Sequence, residues 1–311
     1  MVGTSQTAPE DRGGDMSQDD RLDPATEAFV AHRNLLFTVA YELLGSAADA
    51  EDVLQETWLR WVGVDLDAVR DQRAYLVRIT TRQALSRLRT LSRRKESYVG
   101  PWLPEPLLTA PDVAEDVELA ESVSMAMLLV LETLTPTERA VFVLREVFAV
   151  PYDEIAEALD KTPAAVRQIA HRARGHVEAR RPRIRVTRAE QEEVVERFLA
   201  AIRTGDVDGL LSVLAPDVVA VGDGGGLAPA ARLPIEGAHR VAKSLLLVAR
   251  TEGVSMHPMW VNGALAITIE HDGKVHAVTS VRVEGGRVTA LYGVNNPEKL
   301  TRLDRETQLA T

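Results

Sequence analysis

LTPTERAVFVLREVFAVPYDEIAEALDKTPAAVRQIAHRARGHVEARRPRIR, residues Leu134–Arg185, holds two capped helix starts and a tight turn, and it decides how the middle of the chain folds. Thr135 offers an N-cap hydroxyl, Pro136 a fixed φ at the first helical position, and Glu138 the acid that closes a capping box. Val141, Val143, Leu144, Val147 and Phe148 then supply an apolar face. A second helix is predicted over Tyr152–Leu159, with Tyr152, Ile155, Ala156 and Leu159 inward. Asp160-Lys161-Thr162 makes a three-residue turn, and Thr162-Pro163 repeats the cap-plus-proline start for a third helix.

At about 100° per residue, the third helix places Val166, Ile169, Ala170, Ala173 and Val177 on one side. Ala164, Gln168, His171 and Gly175 point the other way, flanked by Arg167, Arg172 and Arg174. Small and amide side chains at the centre let such a helix enter a major groove, where Gln pairs with an adenine edge and Arg with guanine or phosphate. Arg180, Arg181, Arg183 and Arg185 extend the charge towards the phosphates. A solvated basic helix would carry the same arginines. The two capped starts and the short turn favour a helix-turn-helix.

The chain has 311 residues, enough for two or three domains, and 45% are hydrophobic, enough for real cores. Without cysteine it has no disulfide, thiolate metal site or cysteine nucleophile. No apolar run approaches the ~18 residues of a membrane span, and the acidic N-terminus is no signal peptide. The expected compartment is the cytoplasm, with no membrane partner. A net charge of −10 looks wrong for a DNA binder until it is divided. Bases outnumber acids only in residues 25–95 (eleven to nine) and 121–187 (ten to nine), and residues 96–120 carry six acids and no base. The acidic segments could shield the basic blocks or meet a basic partner.

Residues 1–24 read as a disordered polar segment, within which Met16 competes with Met1 as the start. Ala25–Leu44 is predicted helical and closed by Gly45. Ser46 caps the next helix, DAEDVLQETWLRWV (Asp49–Val62). Val53, Leu54, Trp58, Leu59 and Val62 are its expected inward set, and Asp49, Asp52, Gln55 and Glu56 its acidic, polar face. A polar loop, Gly63–Gln72, leads to a long helix over about Arg73–Arg94, with Tyr75, Leu76, Ile79, Leu85 and Leu88 as core candidates. From Arg78 to Lys95 there are seven bases and no acid. Such charges repel one another, and a phosphate backbone relieves that. One basic block thus suits a duplex groove, and the other offers arginines and aromatics suited to splayed single strand.

Gly45–Asp49, DAEDVLQETWLRW and AYLVRITTRQALSRLR together resemble region 2 of extracytoplasmic-function sigma factors, and Leu134–Arg181 resembles their region 4. The resemblance implies two all-α sigma domains, a region 2 bundle over 25–97 and a region 4 helix-turn-helix over 121–185. It implies that Asp49, Asp52, Gln55 and Glu56 dock on the β′ clamp helices of core RNA polymerase, with the β flap as a further contact. Arg73, Tyr75, Arg78, Arg82, Arg87 and Arg89 would open and read a promoter −10 element. Thr162, Arg167, Gln168, His171, Arg172 and Arg174 would read the −35 element. Tyr75 stands where many members have Trp, and the Gly63–Gln72 loop is idiosyncratic, so the promoter sequence does not carry over.

Residues 98–120 read as a Pro-rich acidic linker. Pro101, Pro104 and Pro106 exclude a continuous helix, yet Trp102, Leu103, Leu107 and Leu108 are apolar. The segment either seals the edge of the preceding domain or docks on the C-terminal one. Past Thr187, helices are expected over Ala189–Arg203, Asp206–Leu214 and Ala238–Arg250. Strands are expected at Val218–Val221, Ser255–Val261, Ala264–His271, Lys274–Glu284 and Arg287–Gly293. His271-Asp272-Gly273-Lys274 and Glu284-Gly285-Gly286-Arg287 are hairpin turns. Three helices on a curved antiparallel sheet make an α+β cone over 188–300, followed by a tail at 301–311.

This cone looks like the SnoaL-like fold, related to nuclear transport factor 2. With Trp102-Leu103-Pro104-Glu105-Pro106, Asp223-Gly224-Gly225-Gly226 and Asn296-Pro297-Glu298-Lys299-Leu300, the chain resembles sigma factors with a fused SnoaL-like extension. That resemblance implies control of the sigma core in cis by the intramolecular SnoaL-like domain, through Trp102, Leu103, Pro104, Asp223, Gly224, Gly225, Asn296 and Pro297. Some relatives of the fold use pocket Asp and His as acid–base pairs. Asp217, Asp223, His239, His257, His271 and His276 are candidates here, but no spacing pairs them, so no catalytic residue, metal or cofactor is assigned. A small-molecule ligand and pure protein contact both remain open for the cone. A stand-alone helix-turn-helix regulator with a ligand-sensing C-terminal domain is the competing function, and a cyclase or hydrolase fused to a DNA module a third.

Overall fold

The structure is a computed structural model, and it describes residues 23–114, 117–180 and 186–311. Arg181, Arg183 and Arg185 of the basic extension lie outside the described residues, as do both candidate start methionines and all but the last two residues of the segment read as disordered.

The first helix, α1 (Pro24–Leu44), starts where Asp23 accepts from the N–H groups of Ala25 (3.0 Å) and Thr26 (3.2 Å). It packs on α2 (Ala47–Trp61) and α3 (Gln72–Glu96), and a short 3₁₀ turn, Leu66–Ala68, lies in the loop between those two. The inward face of α2 is Ala50, Val53, Leu54, Thr57 and Trp61. Trp61 is fully buried and donates from its indole to the Ala25 carbonyl (2.7 Å). The sequence reading put Leu59 and Val62 inward, and they are not: Leu59 is 71% exposed and Val62 50%. At 100° per residue Leu59 sits about 140° from Leu54, whereas Trp61 returns to within about 20° of it.

The second helical group comprises α4 (Val117–Val123), α5 (Met125–Glu132), α6 (Pro136–Phe142), α7 (Tyr152–Leu159) and α8 (Pro163–Glu178). Thr135 and Glu138 form the capping box, and a π turn over Val143–Val147 follows α6. Both helical groups share one hydrophobic cluster running from Leu36 and Trp61 through Leu131 and Val143 to Val166. Arg139, buried at the seam, donates to the carbonyls of Leu43 (2.8 Å) and Leu131 (2.9 Å). Its charge is met by Glu132 at 2.9 Å, which also pairs with Lys95. The two cations outweigh burial and hold the Glu132 carboxyl below its usual range.

The C-terminal half consists of α9 (Arg188–Thr204), α10 (Val207–Val213), α11 (Ala238–Ala249) and a six-stranded sheet in the order β2-β1-β6-β5-β4-β3. The strands are β1 (Leu214–Asp223), β2 (Ile235–Glu236), β3 (Val254–Val261), β4 (Ala264–His271), β5 (Lys274–Glu284) and β6 (Arg287–Val294). The sheet was expected to be antiparallel throughout, but β1 pairs with β6 in parallel. The crossover through α11 takes the chain from beside β1 to the far edge. The β3–β6 meander then returns alongside β1 in the same direction.

One face of the sheet packs on α9–α11 through Phe198, Val241, Leu265 and Val281. The other face meets the rest of the protein. Val261, Ala266 and Val278 there pack on Leu303, Leu300 and Leu108, and Val294 packs on Leu103 and Met125. The C-terminal tail finally crosses back to α1, where the Ala310 N–H donates to the Thr38 hydroxyl (3.1 Å) and Leu309 packs on the helical core.

Candidate nucleic-acid interface

Thr162 caps α8 by accepting from the Ala165 N–H at 3.2 Å, and Asp160 makes the turn in the left-handed region at φ 52°. Val166, Ile169, Ala170, Ala173 and Val177 are buried, so rotation of the helix is set. That leaves Arg167, Gln168, His171 and Arg172 exposed on its outer face. Arg174 lies at the edge, bonded to Glu146 (3.1 Å) and the Tyr152 hydroxyl (3.2 Å). An exposed amide between guanidiniums on a fixed helix is a surface that can enter a groove and bond base edges.

The six candidates on and beside α3 are not equivalent. Arg73 and Arg89 are exposed. Tyr75 lies against Trp61 (centroids 5.8 Å), with the Arg78 guanidinium 4.7 Å over its ring. Arg78 pairs with Glu157 (3.1 Å). Arg82 grips the C-terminal end of α7, donating to the carbonyls of Glu157 (2.7 Å) and Ala158 (3.0 Å) and to Asp160 (2.9 Å). These are the carbonyls that a helix end leaves unpaired. Arg87 is tied within the first bundle to Asp49 (2.6 Å) and Asp52 (2.5 Å).

On α2, Asp49 is buried against Arg87, whereas Asp52, Gln55 and Glu56 reach the outer face. Gln83 bonds Glu56 at 2.8 Å. Leu59 stands on the same face, one helical turn beyond Gln55. An acidic patch with an apolar centre therefore projects from α2.

The segment 98–109 threads between the helical half and the sheet. Asp223, fully buried at the end of β1, accepts from the Leu103 N–H (2.8 Å), the Tyr98 hydroxyl (2.5 Å) and Lys299 (2.7 Å). Lys299 also donates to the Leu103 carbonyl at 2.6 Å and lies 3.4 Å over the Trp102 ring. Burial pulls the Lys299 ammonium down to about 8, although Asp223 opposes the shift. Asn296 bonds the Tyr98 hydroxyl (2.8 Å), and its N–H, like that of Asn295, donates to the Asp223 carbonyl. At Gly225 (φ 59°) a Cβ would come within 2.4 Å of the Asn296 amide and 2.8 Å of the Tyr98 hydroxyl. Pro104 packs beside Gly45. The Glu105 carboxylate accepts from Ser46 and from the Ala47 and Ala48 N–H groups at the start of α2.

Sequence reasoning missed the second anchor. Asn262, in the β3–β4 turn, is buried and bonds the Leu107 backbone at both its amide oxygen (3.1 Å) and its N–H (2.9 Å). Its side-chain amide also donates to the Tyr41 hydroxyl (2.7 Å) and the Val123 carbonyl (2.9 Å). A Cβ at Gly263 would strike the Ala120 Cα at 2.8 Å. The Asn-Gly dipeptide signals only a turn, and nothing local reveals that the turn is a plug.

The acid–base candidates are not brought together. Asp217, His239, His257 and His276 are exposed, His271 packs edge-on to His276 at 5.5 Å, and Asp223 is consumed by the linker. Among the described residues no group of three or more His, Asp or Glu could hold a metal ion, and no helix is long and apolar enough to cross a membrane.

Comparison with known proteins agrees with this layout. The family "Sigma-70 region 2" matches residues 28–94, and "Sigma-70, region 4" matches residues 124–177. The ECF RNA polymerase sigma factor SigJ of Mycobacterium tuberculosis is 39% identical over 88% of this chain and 92% of its own length. The probable ECF RNA polymerase sigma factor SigI of the same species is 30% identical over 91% of this chain and 97% of its own. The crystal structure of SigJ superposes with a TM-score of 0.72 at 38% identity, over 89% of this chain and 98% of that one, so the likeness includes the α+β cone. The chain belongs to the extracytoplasmic-function sigma factors, which bind RNA polymerase and direct transcription initiation from promoters, and it carries a SnoaL-like C-terminal domain.

Proposed function

We propose that the SnoaL-like domain controls the sigma core in cis by gripping the linker between its two DNA-reading modules. The observation that carries this reading is the buried Asp223–Leu103–Lys299 clamp, with the Tyr98 and Trp102 rings packed edge to face beside it. The clamp fixes the linker against β1 and so limits how far regions 2 and 4 separate. Arg78 and Arg82 are spent on α7 in this closed arrangement. They reach a −10 strand only after α7 moves away. Release of the linker therefore raises output.

Arg73, Tyr75, Arg78, Arg82 and Arg89 would then face the −10 element, with Arg87 shared between it and α2. Thr162, Arg167, Gln168, His171, Arg172 and Arg174 would face the −35 element. Asp52, Gln55 and Glu56, joined by Leu59, are the residues we assign to the β′ clamp helices, with Asp49 positioning Arg87 behind them. The β flap is assigned to region 4. The role of the cone is binding rather than catalysis, consistent with the scatter of its histidines, and the working compartment is the cytoplasm, with the polymerase.

The test is transcription from a promoter library with purified core polymerase, comparing the intact chain with Trp102→Ala and Asp223→Asn, with thermal melts to confirm folding. At least a threefold gain in transcript yield is expected from both variants. Equal yields from folded variants would reject control by the clamp.

A further inference from the structure

Between the sheet and the helical half lies a cavity of about 500 Å³, a size that takes a small organic molecule. Its lining takes in Arg188 and Gln191 of α9 and Leu265 and Val281 of the sheet, and it extends past the sheet to α4 and α5. Ala266, Ser280 and Tyr292 are direct cross-strand partners on β4, β5 and β6, so they share one face. Ala266 and Tyr292 pack towards the linker, tail and α5 rather than towards α9–α11. The opposite wall is Glu121 of α4 with Ser124 and Met125 at the start of α5, and the α9 entry closes one end with Arg188.

Three features specify an occupant. The wall is largely apolar, from Met125, Val261, Ala264 and Ala266. The Ser280 hydroxyl is buried and has no hydrogen-bond partner among the described residues. A buried unpaired hydroxyl is costly, and a ligand oxygen would remove that cost. The charged lining residues are two cations, Arg188 and Arg282, against one anion, Glu121. Arg282 bonds Glu284 through both Nε (2.8 Å) and an Nη and also meets the Tyr292 hydroxyl, while Arg188 bonds Glu192 through Nε (2.9 Å) and the Pro111 carbonyl through an Nη (3.4 Å) and lies 4.5 Å over the Trp260 ring. A guanidinium carries five donors, so each retains capacity for a further acceptor.

We propose that this interdomain cavity binds an amphipathic monocarboxylate, its apolar body against Met125 and the sheet and its carboxylate towards Ser280 and Arg282. Such a molecule touches both the cone and the first helices of region 4. Its binding therefore favours the docked state over any state in which those surfaces part. This regulatory consequence rests on the cis-control reading above, but the binding site does not.

The test titrates 8-anilinonaphthalene-1-sulfonate, an aromatic body with one anionic group, into the full chain and follows its fluorescence, then displaces it with decanoate or 1-decanol. One saturable site per chain is expected. Ser280→Ala should weaken binding five- to tenfold, Ala264→Phe should abolish it, and decanoate should displace the probe at a tenfold lower concentration than decanol. If Ala264→Phe does not fold, Ser280→Ala and the two competitors still decide. Affinity unchanged within twofold in Ser280→Ala, or equal displacement by acid and alcohol, overturns the site. Saturating decanoate should also lower transcript yield at least threefold, and much less so in Ser280→Ala at the same concentration. Binding without any change in yield overturns the coupling. Unchanged yield from Trp102→Ala and Asp223→Asn overturns cis control, and leaves the site standing.

Discussion

Asp223 and Leu103 stand 120 residues apart in the chain and 2.8 Å apart in the fold, the carboxylate of one accepting from the backbone N–H of the other. Lys299 completes the pair from a third part of the chain. Removing one member of a buried ion pair leaves the other charged and unpartnered, a loss of about 3–5 kcal/mol. Asp223→Ala is expected to lower stability by that order in urea unfolding. Asp223→Ala with Lys299→Met should recover part of the loss, because the orphaned ammonium is gone.

Charge reversal at the α2 face separates docking from folding. Asp52 and Glu56 make exposed contacts to Arg87 and Gln83, which contribute little to stability. Asp52→Lys with Glu56→Lys should shift unfolding by about 1 kcal/mol or less, yet weaken core polymerase binding at least tenfold in a pull-down titration.

The outer face of α8 divides into reading and holding. Gln168→Ala should cost about 1–3 kcal/mol on the preferred −35 sequence and little on others, flattening discrimination in a binding array. Arg172→Ala should weaken all duplexes alike and reduce the slope of log K against log salt by about one.

Glu42 lies fully buried beside Ser122, and burial drives its carboxyl up to about 8. The Ser122 hydroxyl donates to Glu42 (2.7 Å), which opposes the rise, and it also lies 2.9 Å from the Leu119 carbonyl. Between the unfolded carboxyl value near 4.5 and the folded value near 8, the native chain holds a proton that the unfolded chain has lost. Stability therefore falls as pH rises through that window. Glu42→Gln should be the more stable form at pH 8, by on the order of 1–3 kcal/mol, with the difference vanishing towards pH 4.5; melting curves across pH measure it.

The helices of Leu134–Arg185 were legible because their signals are local. Thr135 with Glu138 and Thr162 with Pro163 act within one turn, and the buried face of α8 is the expected one. The hairpins at Asp272-Gly273 and Gly285-Gly286 were legible for the same reason, since they need positive φ and have it. Region 2 was read more coarsely. Two exposed apolar residues, Leu59 and Val62, were placed in the core and Trp61 was left out, because apolar character alone does not report the angle around a helix.

The local elements, the two basic modules, the motifs that point to a sigma factor and the cone behind them are all written in short stretches of the chain. What the charges do emerges from long-range packing. Arg82 is spent on α7, Asp49 on Arg87 and Asp223 on the linker, and Asn262 turns from a hairpin residue into a plug. The physical reason is range. Caps and turns are settled within four residues, whereas a buried polar group takes whichever partner packing brings to it, for Asn262 a tyrosine 221 positions away.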